Sequence, residues 1–482
     1  MLKQGPEYLA QLRDGRTVYV GSERIDDVTR HPAFKNAAHS IAELYDLKAS
    51  PDHRDAMSFE EDGHSYSAYF LQPKSKEDLS RRSETHYRIA DYSYGLLGRS
   101  PDHVASFVTG MSLRPEVFGR YADNVIDYYR HMREDDIFAA YAVLPPQAAR
   151  NPEFFQRRSL PVPTLRVVRE TDRGLVISGM KMLATGAILA NEILIGNVHP
   201  LAPDRLAESV TCAVPVNSAG LALWSRKPFE PNAARESDGP LTYRFDETDA
   251  MVVCDNVEVP WERVFVHNDV ALARAIWFET PAHCFGNHQS NVRFHAKLRL
   301  LVGLASKLTQ ASGADGIPSV VETLGRLASL EALLAGVIAG QISMAETWPT
   351  GFMTFNRRMM YAALNWCTEN YSPIIDCLRD LCGGGVFQIP ADASVMDDPN
   401  LREVFETFWV TPQLTAVDRK KLFRLAWDLI GSEFAGRHQQ YEKFYAGPSI
   451  AVRNYNYTVA PWDEFNAIVD KLLAETGKMP AE

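Results

Sequence analysis

The sequence predicts an α+β protein in three parts: a mostly helical segment over residues 1–150, a compact antiparallel β domain over 151–275, and a helical bundle over 276–482. Three observations carry this. In "SIAELYDLKASP" and "PEVFGRYADNVIDYYRHMRED" apolar residues recur at three-and-four spacing, the period of one helix face. Near residue 160 the texture changes to runs rich in β-branched residues. Beyond residue 275 the helical period returns and continues.

The β domain is read from "TLRVVRETDRGLVISGMKML", "ILIGN", "TCAVPVN" and "LTYRFDETDAMVVCDNVEVP", with Asp172-Arg173-Gly174 as a hairpin turn. The third part is read from "VRFHAKLRLLVGLASKLTQASG", "SVVETLGRLASLEALLAGVIAGQISMAE" and "RKKLFRLAWDLIGSEFAGRHQQYEKFYAG". These segments are long and apolar on one broad face, as helices that pack in a bundle and across subunit interfaces are. No internal repeat or low-complexity tract interrupts them.

Composition sets bounds on function. The 482 residues are 46% apolar and 23% charged, an ordinary soluble composition with enough chain for two or three domains. A net charge of −11 lacks the basic footprint that nucleic acid requires. No uninterrupted apolar run reaches the ~18 residues of a membrane span, and "MLKQGPEYLAQLRDGR" is too polar for a secretory signal. Six scattered cysteines without a Cys-x-x-Cys pair read as reduced thiols in a cytoplasmic protein.

The standard catalytic signatures are missing. There is no G-x-G-x-x-G after a strand, no phosphate loop, no His-Glu-x-x-His and no G-x-S-x-G. The glycine cluster in "CGGGVFQIP" is either a helix stop or a backbone approach to phosphate. His288 and His295 lie two turns apart on one helix face, a weak pattern for a metal, and the competing reading of each is packing or surface. His438 reads as a helix-surface residue. No metal site is expected.

One stretch does invite a chemical reading. In "DYSYGLLGRSPDH" the Ser-Pro step ends the preceding helical pattern near Ser100, leaving Arg99 at an element boundary. Such an arginine either closes a helix C-terminus at the surface or presents a fixed cation to a cavity.

Several stretches in one order resemble the 4-hydroxyphenylacetate 3-monooxygenase family, the flavin-dependent oxygenase components of two-component aromatic hydroxylases. They are "YLAQLRDGRTVYVGSERIDDVTRHPAFKNAA", "GLLGRSPDH", "FAAYAVLPPQ", "VISGMKMLATGA", "FDETDAMVVCDNVEVPWERVF" and "KLFRLAWDLIGSEFAGRHQQYEKFYAG". The resemblance implies an acyl-CoA dehydrogenase-like fold: a helical N-terminal domain, a middle β domain and a C-terminal four-helix bundle, usually in a homotetramer. It implies reduced FAD delivered by a separate NAD(P)H-dependent flavin reductase, with O2 as co-substrate and a flavin C4a-hydroperoxide as the oxygen donor. The substrate implied is a small phenol, hydroxylated ortho to its hydroxyl. Since a free phenol has a pKa near 10, only about one molecule in a thousand is ionised at neutral pH, and a buried guanidinium favours the anion.

The resemblance also implies residue roles. Arg99 falls on the family's substrate-binding arginine. Where the family carries a phenol-binding tyrosine this chain has His103, and the family's second ligand, a histidine, is replaced by Ala140. Both changes put 4-hydroxyphenylacetate itself in doubt as the substrate. His103 is then the nearest polar replacement, with His288 as a second catalytic candidate. For the flavin, the matches are Tyr141, Ala142, Pro146, Gln147, Thr185, Tyr445 and Gly447. The alternatives are a monooxygenase of the same family that expels chloride or nitrite, and a non-catalytic scaffold. A 4-hydroxybutyryl-CoA dehydratase is excluded, because no cysteine lies before residue 212 to hold its iron–sulfur cluster.

Overall fold

Two strands of 12 residues each, Gly174–Thr185 and Asp249–Pro260, form the spine of the larger sheet in the computed structural model, which describes residues 2–476. They run antiparallel with Gly174 opposite Pro260 at one end and Thr185 opposite Asp249 at the other. Arg166–Thr171 flanks them through the tight turn at residues 172–173, where the Asp-Arg-Gly signal was read. Leu221–Ser225 pairs on the opposite side. A second sheet orders Val264–Val266, Thr211–Pro215, Glu192–Ile195 and Ala139–Ala142.

Every pairing within residues 151–275 is antiparallel. Two strands from the first 150 residues extend these sheets in parallel register. Thr17–Val20 pairs with Leu221–Ser225, and Ala139–Ala142 pairs with Glu192–Ile195. The first segment is therefore less helical than its periodicity suggested. Parallel pairing needs a long crossover, and between Ala142 and Glu192 the hairpin of Arg166–Thr171 and Gly174–Thr185 supplies most of it.

A bulge interrupts the spine beside Thr185. Ala184 pairs with Ala250 and Lys181 with Val252, so two residues oppose Met251. One of them, Leu183, takes a left-handed backbone (φ +59°) and is 62% exposed. The extra residue breaks the alternation of faces and re-aims the end of the strand.

Ala282–Ser312, Pro318–Ser343, Arg357–Cys382 and Ala416–Ile430 make the C-terminal bundle. Ala282–Ser312 departs from the expected one-sided helix. Its first half is buried all round, polar residues included, because Lys76–Tyr92 and Pro101–Ser112 pack on the side away from the bundle. Pro318–Ser343 is long and apolar enough, by length and composition, to cross a membrane. Glu322, Arg326 and Glu331 interrupt it, so it holds no unbroken apolar run of that length. Here it packs against both long neighbours in the bundle. The triple glycine is a helix stop: Gly383, at φ +49°, ends Arg357–Cys382.

Candidate active site

Arg99 stands at a helix beginning rather than a helix end. The helix Lys76–Tyr92 stops seven residues earlier, and Pro101–Ser112 starts just after, with Pro101 in the first turn where its missing N–H costs nothing. The reading of Arg99 as a last-turn surface cation is thereby overturned. The residue is only 7% exposed. Its guanidinium donates from Nη1 to His103 Nε2 at 2.9 Å and from Nη2 to the Tyr445 carbonyl at 3.1 Å. It lies over the Tyr445 ring at 3.9 Å and over Tyr141 at 5.2 Å. His103, in the first turn of Pro101–Ser112, and Tyr445, in the loop after Glu433–Lys443, thus close around a permanent cation.

The close approach of these loops depends on two glycines. A Cβ on Gly98 would sit 2.0 Å from the Tyr441 hydroxyl, inside its radius. Gly186 has φ +76°, and a Cβ there would press on Phe138 and on the Arg99 carbonyl.

The predicted flavin residue Thr185 is tied to Arg99 through carboxylates. The register that sets Thr185 opposite Asp249 allows its hydroxyl to donate to Asp249 Oδ1 at 2.6 Å. Arg437 grips Asp249 with Nη2 and Nε, at 2.8 and 3.0 Å, and donates from Nη1 to Glu247 at 2.9 Å. Glu247 accepts the Arg99 backbone N–H at 3.0 Å. Despite burial, the Arg437 and Arg226 guanidiniums hold the Asp249 carboxyl far below its usual range. Sequence reading missed Glu247, Asp249 and Arg437. The one signal was that all three fall inside the quoted matching stretches.

The other predicted residues divide. Tyr141 and Tyr445 join the Arg99 cluster through their rings, with His103 centred 5.5 Å from Tyr141 and 6.4 Å from Tyr445. Ala142 lies buried in the strand beneath, and the Leu144–Met182 bridge carries that chain past the bulge. Pro146 is buried and Gln147 exposed just beyond it. Gly447, at φ +91°, turns the loop back two residues after Tyr445. Ala140 is fully buried, in register with Ile193. Phe107 meets His103 edge-on at 5.0 Å and Trp277 at 5.4 Å, an apolar wall beside the cation.

His288 is not brought to this cluster. Its ring is stacked flat on Phe355 at 3.5 Å, and its nitrogens pair with Gln341 Oε1 at 2.7 Å and Ser83 Oγ at 3.0 Å. It points between Lys76–Tyr92 and Pro318–Ser343, about 100° around the helix from its neighbour Gln289, which reaches His103. His288→Leu should lower the thermal midpoint by a few degrees, since Gln341 and Ser83 would lose a buried partner, and should change turnover per folded molecule less than twofold. Calorimetry with an activity assay checks both. His438 is likewise no surface residue; it is 1% exposed, with Nδ1 accepting from Lys297 at 3.2 Å. His295 bridges the Tyr87 hydroxyl and Glu331.

Known proteins share this architecture. Residues 4–266 match the family described as 4-hydroxyphenylacetate 3-hydroxylase, N terminal, and residues 273–474 match its C-terminal counterpart. The oxygenase component of 4-nitrophenol 2-monooxygenase from Rhodococcus sp. is 32% identical over 456 residues, 93% of this chain and 87% of that protein. The oxygenase component of 4-hydroxyphenylacetate 3-monooxygenase from Thermus thermophilus is 31% identical and aligned over 99% of both chains. A crystal structure of such an oxygenase component, complexed with FAD and 4-hydroxyphenylacetate, superposes with a TM-score of 0.92 at 29% identity over 99% of each chain. Fold and family match together define a flavin-dependent monooxygenase, the oxygenase component of a two-component system. The chain belongs to the 4-hydroxyphenylacetate 3-hydroxylase family.

Proposed function

We propose that this protein hydroxylates a small phenol at the carbon beside its hydroxyl, with reduced FAD and O2, and that Arg99 and His103 hold the phenol oxygen. The observation that carries this is the unbroken chain Arg99–Glu247–Arg437–Asp249–Thr185, which ties the backbone of Arg99, the candidate phenol-binding residue, to the hydroxyl of Thr185, the candidate flavin contact. The donor set fits a flavin edge. Thr185 spends its proton on Asp249, so its lone pairs are free to accept a ring N–H. The exposed Leu183, two residues from Thr185, and the half-buried Tyr141, over which Arg99 lies, offer apolar surface. Ala142, Pro146, Gln147, Tyr445 and Gly447 are assigned the remaining flavin contacts on the strength of the matching stretches. Ala140 offers the substrate no polar group, which leaves the phenol oxygen to Arg99 and His103.

Bound reduced FAD, with O2, supplies the electrophilic oxygen. The chain's own residues prepare the other reactant. A full positive charge beside a phenol lowers its pKa by about 1–3 units, raising the ionised fraction at neutral pH from about one in a thousand toward one half. The anion is the better carbon nucleophile. Phe107, Tyr141 and Trp277 keep water from the cation, which strengthens its hold.

As the oxygenase component of a two-component system, the protein works with a flavin reductase on an aromatic substrate. Self-assembly, with a homotetramer as the expected form, is supported by apolar side chains left outward on Pro318–Ser343 and Trp462–Thr476, among them Leu333 and Leu472. Six free cysteines, five of them buried, suit a reducing, cytoplasmic setting.

The direct test is anaerobic loading with reduced FAD, then oxygen and a panel of phenols. One phenol should yield its catechol; oxygen consumption that yields only H2O2 with every phenol would overturn the reading. Thr185→Val should weaken reduced-FAD binding about tenfold, the worth of one buried hydrogen bond, while the fold holds. Anaerobic fluorescence titration measures it.

A further inference from the structure

Arg99 and Gln289 approach one imidazole from opposite sides, and together they decide where its proton sits. A guanidinium only donates, so the His103 Nε2 that receives Arg99 Nη1 at 2.9 Å carries a lone pair. At the other ring nitrogen, Gln289 presents an oxygen, Oε1, 3.0 Å from Nδ1. The amide is held that way round, because its Nε2 faces Ser100 Oγ and Asp102 Oδ1, each at 3.4 Å. Asp102 is an acceptor toward that side: it takes the Ser100 hydroxyl and, at 2.7 Å, His86 Nδ1–H. Both ends therefore demand the same tautomer, with hydrogen on Nδ1 and none on Nε2.

We propose that Gln289 is a positioning residue that keeps His103 in its Nδ1–H tautomer, and that His103 Nε2 accepts the proton of the substrate hydroxyl while Arg99 holds the phenolate oxygen. The inference rests on the phenolic substrate argued above. The substrate O–H bond breaks and an Nε2–H bond forms; the negative charge stays on the phenol oxygen, and no electron moves. The imidazolium so formed keeps Gln289 Oε1 as acceptor for Nδ1–H. The substrate hydroxyl enters where Arg99 Nη1 now donates, and the guanidinium turns that N–H onto the phenol oxygen.

The groups facing His103 are Arg99 from its own loop, Gln289 and Arg293 from Ala282–Ser312, His86 from Lys76–Tyr92, Tyr141 from the strand below and Tyr445 from the C-terminal loop. Burial first, and then the Arg99 charge, hold the imidazole well below its ordinary pKa, so it rests neutral. It takes up a proton only when a phenolate arises beside it. A cation and a bare ring nitrogen thus stand where a tyrosine at position 103 would offer a hydroxyl that both donates and accepts.

The test is binding of 4-nitrophenol to the full-length protein loaded with reduced FAD under nitrogen, at a pH where the free probe is neutral. Phenolate absorbance reports ionisation, and an indicator dye in weak buffer reports protons released. The wild type should bind the probe as phenolate and release no proton, since His103 keeps it. His103→Asn and Gln289→Met should release about one proton for each phenolate formed. Gln289→Glu, which keeps an oxygen on Nδ1, should restore retention. If the wild type releases its proton, or binds the probe in the colourless neutral form, the proposal is overturned whatever the variants do. If no phenol binds at all, the phenol assignment itself falls first.

Discussion

Arg99→Ala is expected to cut product formation about 10²–10³-fold, the usual cost of removing one preorganised donor from a site of developing charge. The loss should exceed that of a neutral hydrogen bond, because the removed group is a full cation buried beside the reacting oxygen. Arg99→Lys should recover little. One ammonium cannot reach His103 Nε2 and the Tyr445 carbonyl at once while lying flat on the Tyr445 ring. The variant should also acquire a pH dependence. Without the cation the bound phenol ionises near its solution pKa of about 10, so the rate should climb roughly tenfold per pH unit between 7 and 10. The wild type should be flatter, because Arg99 already holds the anion. Chromatographic product yield per O2 consumed, measured across pH, decides this. A variant within threefold of wild type at neutral pH would remove Arg99 from the chemistry.

Glu442→Ala should cost about 3–5 kcal/mol of stability, the penalty for stripping the partner from a buried charge. Glu442 receives both Arg293 and Lys297, all three side chains at most 2% exposed. Removing it leaves two cations facing each other in the core. Tyr445 lies three residues further on, with its ring 4.7 Å from the Arg293 guanidinium. The damage should therefore spread to the loop that holds Arg99. Burial opposes ionisation of Glu442, but Arg293 and then Lys297 outweigh it and bring its pKa down to about 2. The sign of the linkage follows. A depressed carboxylate adds stability that is fully present above the unfolded pKa near 4.5 and is lost as pH falls toward 2. Wild type and Glu442→Gln should converge in acid and diverge above pH 5. Replacing all three side chains together by Met or Leu should restore much of the stability and little of the activity. Denaturant unfolding at several pH values would show it, and a Glu442→Ala loss below 1 kcal/mol would contradict the account.

These effects depend on contacts of very different range, which explains what was legible beforehand. The helical and β segments declared themselves locally, because periods of 3.6 and 2 record which face each element buries. The turn at Asp172-Arg173 and the break at Ser100-Pro101 were equally local, since turn chemistry acts within four residues. What periodicity did not disclose was pairing at a distance. Thr17–Val20 and Ala139–Ala142 carry no mark of the parallel neighbours they take.

The site divided along the same line. Arg99 stood out because a proline two residues on restricts the chain around it, and the matching stretches gave it a role. His438 read as a surface residue and His288 as a catalytic one, because a helix position shows its residue type and hides its partners. Each is decided by groups far away in the chain: Lys297, 141 residues from His438, and Ser83, 205 residues from His288. Glu247, Arg437 and Gln289 are ordinary polar residues by sequence. They became a site only when a strand register, a bulge and one helix buried on every side brought their hydrogen-bonding atoms within about 3 Å of one another. By itself the sequence determined the elements, their order and the cation at Arg99. Only the tertiary structure decided which polar groups face each other out of water, and there a partner's identity sets charge, tautomer and chemistry.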